Sequence, residues 1–224
     1  MRRSIAGAAL LFGVVLALPA QDILTAERLL AAVGEKYAAL TDFQAKLAVV
    51  SGKTAMNGVI MQKAPNLLRI DFSQPQEQVI AFNGEALTVY LPQYRAVLSQ
   101  TVTNTAGGVG LASAEGLRTM RRNYTVAYSV GPAPLPIDES SAELSIKLTL
   151  TRRSLAEGFT ELLLDINPDT LLIRRIVGRT IAEETVSFDF TDFVLNQGIP
   201  EARFVYDAPA SANLYNNFLY QETD

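Results

Sequence analysis

The segment from Ala64 to Pro92, APNLLRIDFSQPQEQVIAFNGEALTVYLP, limits the fold more than any other part of the chain. Leu68, Ile70 and Phe72 alternate with Arg69 and Asp71, so one side of that run is apolar and the other polar. Two further short runs, Val79 to Phe82 and Leu87 to Leu91, flank Asn83-Gly84, the residue pair that best suits a tight hairpin turn. Ala64-Pro65-Asn66 and Gln74-Pro75 supply the other breaks. Three extended runs in so short a space require a twisted antiparallel sheet with one oily face. What covers that face, an ordinary core or a cavity, decides what the chain can do.

The same period runs through most of the remaining sequence. Residues 22–40 come first and differ: Leu29, Val33, Tyr37 and Leu40, with Leu30 beside them, recur at helical spacing, and Asp22 or Thr25 can cap the start. After Thr41-Asp42 the period becomes two, with Phe43, Ala45, Leu47 and Val49 on one side. Runs at 59–63 and 95–102 follow. Residues 103–116 break the pattern with Gly107, Gly108 and Gly110, and Ser113 can cap a short helix through Arg122 carrying Leu117 and Met120 on one side. Strands are expected at 124–130, 144–150, 159–166, 171–177 and 185–194, with Asn167-Pro168-Asp169 turning between the third and fourth. Phe204 to Tyr206 suits a last strand, and Ala212 to Tyr220 a closing helical turn. About ten or eleven strands with one long and one short helix make a mostly β (α+β) chain. With no βαβ alternation, the expected architecture is an antiparallel sheet curled toward a barrel with helices packed on it. Residues 21–224 are expected to form one domain, the 132–141 loop being the only boundary candidate.

Residues 1–20 carry Arg2 and Arg3, then an uncharged apolar stretch, then Ala17-Leu18-Pro19-Ala20, the pattern of a signal peptide cleaved near Ala20. The apolar stretch is short for a membrane span. The chain has no Cys, so no disulfide and no cysteine-linked lipid. A periplasmic protein fits these features. The net charge is −4, and the basic doublets Arg152-Arg153 and Arg174-Arg175 suit solvated strand ends; nucleic acid is a poor partner.

Catalytic groups are scarce. The chain has no His, which removes the commonest general base, and without Cys there is no thiol nucleophile and no ordinary zinc site. Gly110-Leu111-Ala112-Ser113-Ala114 lacks the second glycine of a nucleophile elbow. Gly107-Gly108-Val109-Gly110 is not followed by Lys-Ser/Thr and is not set in a βαβ unit. The carboxylate pairs Asp138-Glu139 and Glu183-Glu184 fall in expected turns and suit solvated loop charge. No enzyme activity, cofactor or metal is expected.

What remains is an apolar sheet face, a helix to lay on it and a glycine-rich segment. The Ala64–Pro92 block resembles the periplasmic outer-membrane lipoprotein carrier family, LolA. The family's run is a basic residue, Pro-Asn, an alternating strand, a Pro break, a short strand, Asn/Asp-Gly and a strand ending near Tyr-x-Pro. Here these are Lys63, Pro65-Asn66, Leu68 to Phe72, Gln74-Pro75, Val79 to Phe82, Asn83-Gly84 and Tyr90-Leu91-Pro92. The first helix followed by Phe43-Gln44-Ala45, and the late Phe204-Val205-Tyr206-Asp207-Ala208-Pro209, are looser matches.

The resemblance implies an incomplete antiparallel barrel with helices acting as a lid over a hydrophobic cavity. It implies a monomeric carrier that takes lipid-modified proteins as cargo from an inner-membrane ABC-type exporter to an outer-membrane receptor. On that reading Leu68, Ile70, Phe72, Ile80, Phe82 and Val89 line the cavity from the sheet, and Leu29, Val33 and Tyr37 from the first helix. Gly107, Gly108 and Gly110 let the lid move, and Leu111, Leu117 and Met120 face the cavity from it. The family often carries an arginine before its Pro-Asn, thought to pin the lid; this chain has Ala64, so Lys63 or Arg69 takes that part or the lid is held differently. Hiding acyl chains suits such a face, since each methylene left in water costs about 0.8 kcal/mol. The rival readings are a lipid or glycolipid carrier or a lipoprotein sensor on the same fold, and, from another class, a small outer-membrane β-barrel, against which most runs look short.

Overall fold

The computed structural model describes residues 24–102, 112–155 and 157–217. The segment expected to be a signal peptide, Asp22, Gly107, Gly108, Gly110 and Leu111 lie outside the described residues. In chain order the elements are α1 (Ala26–Ala38), β1 (Asp42–Ser51), β2 (Thr54–Lys63), β3 (Leu67–Gln74), β4 (Val79–Phe82), β5 (Ala86–Leu91), β6 (Ala96–Thr101) and α2 (Ala114–Asn123). Then follow β7 (Tyr124–Tyr128), β8 (Leu135–Pro136), β9 (Leu144–Arg152), β10 (Phe159–Ile166), β11 (Ile173–Thr180), β12 (Thr185–Leu195) and β13 (Asn213–Asn216).

The strands form one sheet in the order β13-β6-β5-β4-β3-β2-β1-β12-β11-β10-β9-β7, with β8 attached to β9. Every pairing is antiparallel except β13 on β6. The path ends at β13 and β7, so the sheet does not close, and the incomplete barrel is the architecture found. A membrane barrel needs closure to satisfy its edge backbone groups, and these two free edges argue against that reading. Some strands are longer than expected: β1 and β2 have 10 residues each and β12 has 11.

Local chemistry explains the boundaries. Thr25 caps α1, its hydroxyl accepting from the Arg28 amide. Asn83 accepts the amides of Glu85 and Ala86 while Gly84 takes a φ of 98°, which closes the β4–β5 hairpin. Asn167 does the same for Asp169 and Thr170 between β10 and β11. Gly58 is needed for close packing: a Cβ there would lie 2.4 Å from the Asp71 carbonyl oxygen on β3.

The C-terminal elements differ from expectation. Residues 201–204 form a 3-10 helical turn instead of a strand, and 213–216 form β13 instead of a helical turn. Their geometry is set by contacts with the outside of the sheet, which local propensity does not report. Among the described residues thirteen strands stand where about ten or eleven were expected, the additions being the two-residue β8 and the edge strand β13.

Candidate functional site

Both helices pack on one side of the sheet, here called the inner face. Its register can be followed strand by strand. Leu68 opposes Phe82, and Ile70 opposes Ile80. Phe82 and Ile80 oppose Leu87 and Val89 on β5, and Val89 opposes Leu98 on β6. In the other direction Ile70 opposes Ile60, which opposes Ala45, and Leu47 opposes Phe190. Ile176, Leu164 and Leu148 continue the row across β11, β10 and β9. The inner face is therefore apolar across the width of the sheet.

Its cover is uneven. Leu29, Val33 and Tyr37 of α1 and Leu117 and Met120 of α2 form one buried core with Leu68, Phe82, Leu148, Leu164 and Ile176. The α1 residues are firmly packed: Val33 has no exposed surface, and the buried Tyr37 hydroxyl accepts the Ile173 amide of β11. Burial pushes that hydroxyl's pKa well up. Toward β4–β6 the face opens. Ile70, Ile80, Val89 and Leu98 are only half-buried. Phe72 is buried, opposite Gly58.

The structure thus sorts the expected cavity residues into two groups. Leu29, Val33, Tyr37, Leu68, Phe82, Leu117 and Met120 meet in the core. Ile70, Ile80 and Val89 share the inner face and keep accessible surface. Leu98 belongs with the second group and was not singled out from the sequence, although its alternation with Val97 and Ser99 was visible there. Among the described residues, no three His, Cys, Asp or Glu side chains gather as a cation's ligand set.

The outer face is held differently. Asp42 accepts the amides of Gln197, Gly198 and Ile199. Lys63 donates to the Ile199 carbonyl, and Arg69 to the carbonyls of Arg203 and Val205. Phe204 is buried, Tyr206 stacks on Tyr90 at 5.6 Å, and Arg69 lies over the Tyr206 ring. Residues 197–217 are a strap across this half of the sheet. A second strap, 135–143, crosses β9–β11: Arg175 bridges Asp138 and Asp189, and Arg174 pairs with Glu143. The Arg174-Arg175 doublet and Asp138 are therefore clamps, where the sequence suggested solvated ends and loop charge. Arg175 holds the Asp138 carboxyl below its usual range, and Arg174 does the same for Glu143.

Residues 41–129 match the family model of the outer membrane lipoprotein carrier protein LolA. Over that stretch the chain is LolA-like. That match covers β1 through β7, the helix α2 and the whole Ala64–Pro92 block. Among curated proteins none matches the sequence. Among solved structures, an uncharacterized conserved protein from Thermus thermophilus is similar at 13% identity, over 86% of this chain and 99% of that one, with a TM-score of 0.56. The complex structure of Pseudomonas aeruginosa MucA/MucB is similar at 12% identity, over 85% of this chain and 63% of that one, at 0.52. A LolA superfamily protein from Nitrosomonas europaea is similar at 15% identity, over 81% and 98%, at 0.41. At these identities the first two likenesses speak for the LolA-like fold alone.

Proposed function

We propose that this LolA-like chain is a periplasmic carrier that shelters the acyl chains of lipid-modified proteins on its inner face and ferries them between membranes. One observation carries the reading: an apolar inner face that is sealed by helices over one half and left with half-exposed Ile70, Ile80, Val89 and Leu98 over the other. Solvent-facing aliphatic surface on a sheet interior has a cost, and an apolar ligand removes it. An ABC-type exporter at the inner membrane and a receptor at the outer membrane are the partners such a carrier requires. The family match at 41–129 supports cargo of this class.

Ile80→Glu tests it. The side chain is half-buried, so the variant folds, whereas a charge at Leu68 would sit in the core. The purified protein is incubated with inner membranes bearing a labelled lipoprotein, and release into solution is measured. The expected outcome is release by the native chain and at least about a tenfold loss in Ile80→Glu, since one buried charge offsets more than a kilocalorie of apolar contact. Equal release by both proteins would sink the assignment of this face.

A sensor that holds acyl chains without delivering them, docked on a protein partner, is the second reading; MucB, of similar fold, is solved in complex with MucA. Delivery of the loaded lipoprotein to outer-membrane vesicles separates the two: a carrier passes it on and a sensor keeps it.

A further inference from the structure

On the flank of α2 away from its buried side lies an open cleft of about 500 Å3. Glu27 of α1, Arg118, Arg121 and Arg122 of α2, Val126 of β7 and Arg153, just past β9, line it. Four guanidinium groups against the carboxylates of Glu27 and of Glu115, which pairs with Arg118, make this a local excess of positive charge in a chain whose net charge is −4. Arg118, Arg121 and Arg122 share one side of the helix by their three- and four-residue spacing, while Leu117 and Met120 take the other. Arg118 is paired with Glu115, and Arg122 donates to Asn123. Among the described residues Arg121 and Arg153 have no such partner.

The helix dipole accounts for cations in the last turn of α2. It does not account for Arg153. That residue arrives on a separate element, brought in by the pairing of β7 with β9 and by its amide donating to the Asn123 carbonyl at 2.8 Å. The rims of the same region expose apolar side chains. Leu155, two residues beyond Arg153, is 82% exposed, and Leu24 is 45% exposed with its carbonyl held by the Tyr128 hydroxyl. A leucine at a turn tip beside unpaired arginines is the combination that an interfacial surface uses. The apolar tip enters the headgroup boundary, and guanidinium forks take the phosphates.

We propose that this cleft and its leucine rim dock the protein on an anionic bilayer surface. Inorganic phosphate or an acidic peptide would satisfy the arginines and leave Leu155 in water; a bilayer takes both. The surface stands on these residues alone, and only its use, bringing the lid end of the molecule to a membrane, rests on the carrier reading.

The test is cosedimentation of the full chain with lipoprotein-free vesicles, either rich in phosphatidylglycerol or made of phosphatidylcholine only. Binding is expected to the anionic vesicles, weaker at high salt. The double variant Arg121→Glu/Arg153→Glu should bind at least about tenfold more weakly, because both charges change sign at the surface. Leu155→Ser should weaken binding several-fold without altering its salt dependence. Circular dichroism checks that each variant is folded, which their exposed positions favour. Equal binding to both vesicle types, or double-variant binding equal to the native chain, would overturn the proposal. So would displacement by inorganic phosphate with no effect of Leu155→Ser, or capture of an acidic peptide by a chain that ignores anionic vesicles. Loss of lipoprotein release with vesicle binding intact would count against the carrier reading and leave docking standing.

Discussion

Ala64 stands where the family's arginine would stand, and its two cationic neighbours are engaged elsewhere. Lys63 and Arg69 both hold the outer strap, on the side of the sheet away from the helices. Beside Ala64 there is a gap of only about 20 Å3, bordered by Tyr37, Leu40, Phe43 and Ala114. Apolar contacts of Leu117 and Met120, together with the Ser113 cap on Gly116, account for the seat of α2 instead. At the outer face single residues matter in another way. Glu143 has its folded pKa depressed below the usual 4.5, first by the hydrogen bond from Arg174. A depressed carboxyl stabilises the fold above its unfolded pKa and loses that contribution as the pH falls through the folded value. Glu143→Gln should therefore lower the melting temperature at pH 7 by a few degrees, for a partly exposed pair worth up to about 1 kcal/mol. Below pH 4.5 the two curves should converge as the native carboxyl protonates. A gap that stayed constant down to acid pH would show that the pair contributes nothing through its charge.

At the scale of elements, legibility followed range. The expected limits of β4 and β10 agree with the structure, and α2 starts after the expected Ser113 cap and ends one residue later than expected. Their signals are local: alternation, Asn83-Gly84, Asn167, Ser113. That Ile70, Ile80 and Val89 share one face was legible, since period two puts them on one side. How deeply each would be buried was not, because that depends on where α1 and α2 come to rest. The straps were not legible either. Residues 135–143 and 197–217 have no period, and they are fixed by side chains more than 30 positions away, such as Arg174 to Glu143 or Lys63 to Ile199. The docking cleft escaped for the same reason: Arg153 was seen as half of a doublet, with nothing in its neighbourhood to bring it to α2. The helix α2 itself has a measurable anchor. Leu117 has no exposed surface, so Leu117→Ala should destabilise the fold by about 2–5 kcal/mol in urea denaturation. A loss below about 1 kcal/mol would mean that α2 does not depend on this side chain for its seat.

For the molecule as a whole, the sheet is clamped on one side and greased on the other. The inner face holds its helices chiefly by apolar packing, with the Tyr37 hydroxyl as a buried polar tie and others at the helix ends, while the outer face is crossed by straps bound through ion pairs and backbone hydrogen bonds. This division suits a protein that must admit an apolar ligand without unfolding, because the non-directional contacts can rearrange while the directional ones keep the strands in register. The C-terminal strap matters most for the half that opens. Phe204 is buried in the turn that packs on β3, and Tyr206 and Ala212 pack on the outer-face residues Val79, Tyr90 and Val97, directly behind Ile80 and Val89. Without that cover, β4–β6 would be wetted on both faces, and thin sheets of that kind do not persist alone. Phe204→Ala should cost about 3–5 kcal/mol. Hydrogen exchange should localise the effect, with faster exchange in β3–β6 and little change in β9–β12, whose own strap is intact. Uniform acceleration across both halves would show that the sheet opens as a unit. Protection of β3–β6 equal to that of the native chain would show that the strap does not brace the half of the sheet with the open inner face.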